Sequence, residues 1–140
     1  MNAVVAYHST TGNTRRAAET IAAKLKTNGD EASIVLVEQL TTADVEAADV
    51  VFLGTWAQGL FLIGVRPAGI ERWLPALPPL AGKPVGLFAT YRLRPAGLLR
   101  KFADAVVSKG GRVVAAEAFR PGDQERIEAF VKTVLTRRAA

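Results

Sequence analysis

Five apolar, β-rich runs, separated by stretches of helical periodicity, constrain the fold of this chain more than any other feature. The runs are "AVVAYH" (residues 3–8), "SIVLVE" (33–38), "DVVFLGT" (49–55), "PVGLFAT" (84–90) and "RVVAAEAF" (112–119). Several are apolar almost throughout rather than alternating, the pattern of strands covered on both faces. Between them, apolar residues recur at helical spacing: Ala17, Ile21 and Leu25 within 13–27; Ile70, Trp73, Leu74 and Leu77 within 67–77; Leu98, Phe102, Ala105 and Val106 within 95–108; Ile127, Phe130, Val131, Val134 and Leu135 within 122–138. A weaker helical stretch falls near 42–48. Strands alternating with amphipathic helices predict an α/β fold, a doubly wound five-stranded parallel sheet in the order 2-1-3-4-5 with right-handed crossovers. In that order the loops after strands 1, 3 and 4 meet at one edge.

A short repeat, "RPAGIERWL" from Arg66 and "RPAGLLRKF" from Arg94, reads as two similar helix starts. Pro67 and Pro95 take the first helical position, where a missing N–H costs nothing.

Composition then removes whole classes of chemistry. With 140 residues and 49% hydrophobic content, the chain suits one domain, 1–140, with one sizeable core. There is no cysteine, which excludes disulfides, thiol nucleophiles and zinc–cysteine sites; the single His8 excludes a centre built from several histidines. No apolar run reaches the roughly 18 to 20 residues that cross a bilayer, and Met1 leads directly into a strand without a basic n-region. A soluble, cytoplasmic protein without a membrane span is the expectation.

Between the first strand and the first helix lies "STTGNT": Ser9, Thr10, Thr11, Gly12, Asn13 and Thr14. A helix start leaves its first N–H groups without backbone partners; hydroxyls surround them here, and Gly12 allows close approach of a ligand. The loop lacks the Gly-Lys-Ser/Thr of nucleoside-triphosphate sites and the three glycines of the dinucleotide fingerprint. With no lysine in the cup, it suits a phosphomonoester held by neutral donors and the helix dipole. A plain helix cap and an anion cradle both remain open on these residues alone.

The motif Ser/Thr-x-Thr-Gly-x-Thr after the first strand of a five-stranded α/β chain resembles the phosphate loop of the flavodoxins, and "STTGNT" fills each fixed position. The resemblance covers the whole chain, and with no insertion in strand 5 it is to the short-chain branch. It implies FMN as cofactor, with the isoalloxazine ring between the loops after strands 3 and 4, often against a Trp from the first and a Tyr from the second. Here those loops carry "GTWAQG", with Thr55, Trp56, Ala57, Gln58 and Gly59, and "ATYRLR", with Thr90, Tyr91 and Arg92. Flat aromatics suit a flat ring because they lose little entropy on stacking. Two residues, Ala57 and Gln58, intervene between Trp56 and Gly59, and Tyr91 comes early in its loop. The run "LFLIGV" (60–65) is expected to cover the ring or join the core.

Charge separates this chain from the generally acidic flavodoxins. It carries 18 Lys and Arg against 13 Asp and Glu; residues 50–102 hold a net +6 and the remainder −1. No helix bears a long basic stripe, so nucleic acid is not the expected partner. A positive rim around the cofactor edge points instead to an acidic redox protein or an anionic substrate. The function expected is that of an FMN-binding electron-transfer flavoprotein of flavodoxin type, with no catalytic residue of its own and no metal. Two alternatives stand beside it: an FMN-dependent oxidoreductase of the same fold acting on a quinone or porphyrinogen, and a flavin-free binding module.

Overall fold

The computed structural model describes residues 1–8, 12–60, 64–67, 75–91 and 98–139. Strand β1 (Asn2–Tyr7) leads to helix α1 (Asn13–Thr27), β2 (Glu31–Leu36), a 3-10 turn (Val37–Gln39), α2 (Thr42–Ala47) and β3 (Val50–Leu60). The chain continues through β4 (Gly64–Pro67), β5 (Pro84–Thr90), α3 (Leu98–Ser108), β6 (Arg112–Phe119) and α4 (Gln124–Arg137). The principal strands lie side by side in the order β2-β1-β3-β5-β6 and every neighbouring pair is parallel. With β4 set aside, this is the 2-1-3-4-5 winding expected from the run of strands and helices.

Alternation along the strands divides the core into two layers. On one face Val4, Ala6, Val51, Leu53, Val85 and Leu87 pack with Val45 of α2 and Phe102 and Val106 of α3. On the other, Val5, Phe52, Phe88 and Phe119 pack beneath α1 and α4, where Phe130 meets Phe119 edge-on at 5.5 Å between ring centroids. Gly54 belongs to this second face: a Cβ there would stand 2.1 Å from Cζ of Phe88, so the phenyl ring fills the room a side chain would need. Helix α2 is short yet well begun. Thr41 Oγ1 accepts from the Asp44 amide at 3.1 Å, and Asp44 Oδ2 accepts from the Thr41 amide at 3.0 Å, a reciprocal capping box.

Two expectations are corrected. The third strand does not stop at Thr55; it runs on to Leu60 and turns back as β4, with Ala57 opposite Pro67, Gln58 opposite Arg66 and Leu60 opposite Gly64. Part of "LFLIGV" is therefore hairpin rather than loop. Pro67 consequently ends a strand instead of starting a helix. A proline lacks the N–H that a central strand must donate, and β4 tolerates one because, among the described residues, β3 is the strand it pairs with. Of the helix expected at 67–77, residues 68–74 lie outside the described residues, and 75–77 form a turn and bend. Among the described residues no helix is long and apolar enough to cross a membrane.

Candidate cofactor site

The carboxyl ends of β1, β3, β5 and β6 share one edge of the sheet, the position where open α/β sheets bind ligands. Among the described residues the buried polar side chains are three threonines, Thr14, Thr55 and Thr90, and all three stand at this edge. Burying a hydroxyl costs free energy unless it is bonded, so their concentration here marks a site rather than a core.

Gly12 opens α1. Its φ of 89° and ψ of −11° are left-handed values that cost an ordinary L-residue free energy. The first turn carries no acidic residue, so no carboxylate of that turn occupies the positive end of the helix dipole. Asn13 Oδ1 accepts from Arg16 Nη1 at 3.1 Å. Thr14, one residue further on, is fully buried, and its hydroxyl lies 2.8 Å from that of Thr90 at the end of β5. Ser9, Thr10 and Thr11 lie outside the described residues. His8, just before them, is fixed at both ends: its amide donates to Gly54 O at 2.9 Å, and its Nδ1 lies 2.8 Å from Glu38 Oε1.

Register places the remaining residues. Thr55 sits opposite Ala89, and Trp56 opposite Thr90, so the indole is one strand away from the Thr14–Thr90 contact. Thr55 Oγ1 and Trp56 Nε1 are both buried, and among the described residues neither has a hydrogen-bond partner. Two orphaned polar atoms on adjacent residues, at the sheet edge where α1 begins, are what a phosphorylated, ring-bearing ligand would satisfy. Ala57, Gln58 and Gly59 continue β3 into the hairpin, their backbone paired with β4. The residues present thus fit the cofactor expected from the sequence: amides for a phosphate, a half-buried indole for a flat ring, and polar atoms awaiting partners.

Tyr91 follows Thr90 and its amide donates to Phe119 O at 3.0 Å, tying it to the end of β6. The Arg120 guanidinium lies over its ring, 5.9 Å from the centroid. Arg126 stands nearby, bonded to Glu117 Oε2 at 2.9 Å and 3.5 Å from Asp123 Oδ2. Desolvation by burial pulls the Arg126 pKa down, but Glu117, through its charge and hydrogen bond, with Asp123 and Tyr91 adding to it, leaves the pKa above the ordinary arginine value. Arg126 is therefore a fixed cation. Arg92 and Arg94 lie outside the described residues. Arg120 and Arg126 are site neighbours that sequence reasoning missed; the contact joins the turn after β6 to the end of β5, and no local pattern announces it.

Comparison with known proteins agrees with this geometry. A family model described as "Flavodoxin domain" matches residues 4–116. The flavodoxin of Megasphaera elsdenii is 36% identical over 88 residues, which cover 62% of this chain and 63% of that protein, so the match spans less than two thirds of the relative's length. In three dimensions, the solution structure of the two-electron reduced Megasphaera elsdenii flavodoxin superimposes with a TM-score of 0.78 at 26% identity, covering 96% of this chain and 98% of that one. Oxidised flavodoxin 2 from Bacillus cereus superimposes with a TM-score of 0.75 at 21% identity, over 97% of this chain and 99% of its own, a likeness of fold.

Proposed function

This chain belongs to the flavodoxin family of FMN-binding electron-transfer proteins, and on that premise we propose that it holds FMN at the carboxyl edge of its sheet and serves an acidic protein partner. The observation that carries the placement is that, among the described residues, the three buried threonines gather at that edge, with Thr55 Oγ1 and Trp56 Nε1 unpartnered there.

In this reading the phosphate rests at the start of α1. We assign Ser9, Thr10, Thr11, Gly12, Asn13 and Thr14 to hold it, on the motif they form, and the helix dipole favours its charge. Either hydroxyl can donate across the 2.8 Å Thr14–Thr90 contact; with a phosphate in place, Thr90 as donor would leave the Thr14 proton to point at a phosphate oxygen. Trp56 covers one side of the ring, with Ala57, Gln58 and Gly59 along its edge; Thr90, Tyr91 and Arg92 border the other. Thr55 offers its hydroxyl to a polar atom of the cofactor. FMN, when bound, takes up and releases the electrons, while the chain orients it and keeps water from its inner edge.

Charge supports the choice of partner. The +6 concentrated in residues 50–102 lies in the segment that carries Trp56 and Tyr91, so a carboxylate-rich protein would be steered toward the exposed edge of the ring. The test is direct. Purified protein should be yellow, with FMN released on denaturation, and apoprotein should regain the colour with added FMN. Colourless protein that takes up no FMN overturns the reading, and electron-transfer rates insensitive to salt overturn the acidic partner.

A further inference from the structure

We propose that the cleft between the start of α1 and the turn from β6 into α4 is a second anion subsite, which takes a phosphoryl group next to the flavin phosphate. This rests on FMN occupying the cup at Gly12–Thr14. The cleft encloses about 210 Å³, room for a phosphate and several waters at roughly 30 Å³ each. Asn13 and Arg16 of α1 form one wall, Arg120 and Gln124 the other, and Phe119 and Ile127 contribute to an apolar floor. Two helices therefore begin at its rim, α1 at Asn13 and α4 at Gln124; the first turn of α1 carries no acidic residue, while α4 starts after Asp123 and holds Glu125 in its first turn.

Among the described residues no carboxylate lines the cleft. Of the carboxylates around Gln124, Asp123 is 3.5 Å from Arg126, Glu125 lies in the first turn of α4, and Glu128 Oε1 accepts from Gln124 Nε2 at 3.3 Å, all outside the cleft lining. Of the two guanidiniums, Arg16 bonds the neutral Asn13 amide and Arg120 lies over the Tyr91 ring; neither forms an ion pair among the described residues. By contrast Arg15 is paired with Glu19, and Arg126 with Glu117. Two cations without counter-charge, at the mouth of a pocket where two helix starts converge, suit a ligand bearing the charge that the chain withholds. Because Asn13 belongs both to this wall and to the phosphate cup, the added group lies within reach of the first phosphate. Its source is either the distal phosphate of a flavin dinucleotide or a separate phosphate ester bound alongside FMN.

The experiment titrates apoprotein with FMN and with FAD, and FMN-loaded protein with ADP, by calorimetry at low ionic strength. The same titrations are run on Arg16→Gln, Arg120→Gln and the double variant, and amide shifts at Thr20 and Gln124 report the place of binding. A dinucleotide source predicts FAD binding at least as tight as FMN, with each substitution weakening FAD about tenfold and FMN less than twofold. A separate ester predicts ADP binding to the FMN-loaded parent, with shifts at both amides and about tenfold loss in each variant. FAD binding well below FMN together with no ADP binding overturns the proposal, as does equal loss of FMN and FAD in the variants. Failure of FMN itself to bind overturns the cofactor reading first; ADP then goes to apoprotein, where arginine-dependent shifts at Thr20 and Gln124 sustain the subsite and their absence removes it.

Discussion

Thr14 and Thr90 hold each other's hydroxyls at 2.8 Å across 76 positions of sequence, both buried, one at the start of α1 and the other at the end of β5. Each is the other's satisfaction. Thr90→Val leaves the Thr14 hydroxyl buried without that partner and should cost roughly 1 to 3 kcal/mol in urea denaturation. The double variant Thr14→Val, Thr90→Val should lie closer to the parent than the sum of the single losses, because removing both partners removes the unmet hydroxyl. Additive losses would mean the contact carries nothing.

Gly12 has no heavy atom within 4 Å of where its Cβ would stand, so substitution there is limited by backbone conformation rather than crowding. Gly12→Val should destabilise by about 1 to 2 kcal/mol, and Gly12→Asn by less, since Asn visits left-handed φ more readily. Both should weaken FMN while leaving riboflavin, which has no phosphate, at the parent's affinity. Equal losses for the two flavins would make the loop purely structural.

Thr55→Val exchanges an orphaned buried hydroxyl for a methyl group of like shape. Apoprotein should be unchanged or stabilised by up to about 1 kcal/mol, while FMN affinity falls by a similar amount. Thermal melts with and without FMN separate these effects, and a destabilised apoprotein would show that the hydroxyl already has a partner.

Trp56→Ala should weaken FMN binding by on the order of 1 to 3 kcal/mol and raise the fluorescence of bound flavin, because a stacked indole quenches it. Loss of stability with quenching unaltered would place the indole in the core instead.

Gly54→Ala should be among the most damaging single changes in the sheet, since its Cβ would overlap the Phe88 ring at 2.1 Å. A loss of about 1 to 3 kcal/mol or more is expected, with partial recovery on adding Phe88→Leu. A stable Gly54→Ala protein with the ring unmoved would contradict the packing described.

The sheet was legible in the sequence because nearly continuous apolar strands have few other places to go, and helical spacing between them dictates parallel crossovers. The hairpin was not. "LFLIGV" is equally apolar as core, loop cover or strand, and Pro67 suits the first turn of a helix as well as the end of an edge strand; its likeness to the stretch at Pro95 favoured the wrong one. Local pattern singled out "STTGNT" and Trp56 as candidates, but it could not show that Thr14 of α1 meets Thr90 at the end of β5, or that Tyr91 meets residues beyond α3. Contacts between distant segments leave no trace in residue spacing.

The central position of β3 and the late arrival of β5 have a consequence on the ribosome. Once Leu60 has been made, β2, β1 and β3 can assemble around α1 and α2, but the outer edge of β3, with its "VVFLG", waits for β5 to pair with it. At roughly 5 to 20 residues per second, the chain between Leu60 and Pro84 takes on the order of one to five seconds to appear. During that interval a nascent half-sheet offers an unpaired apolar margin to its neighbours, the state most in need of a chaperone's shelter.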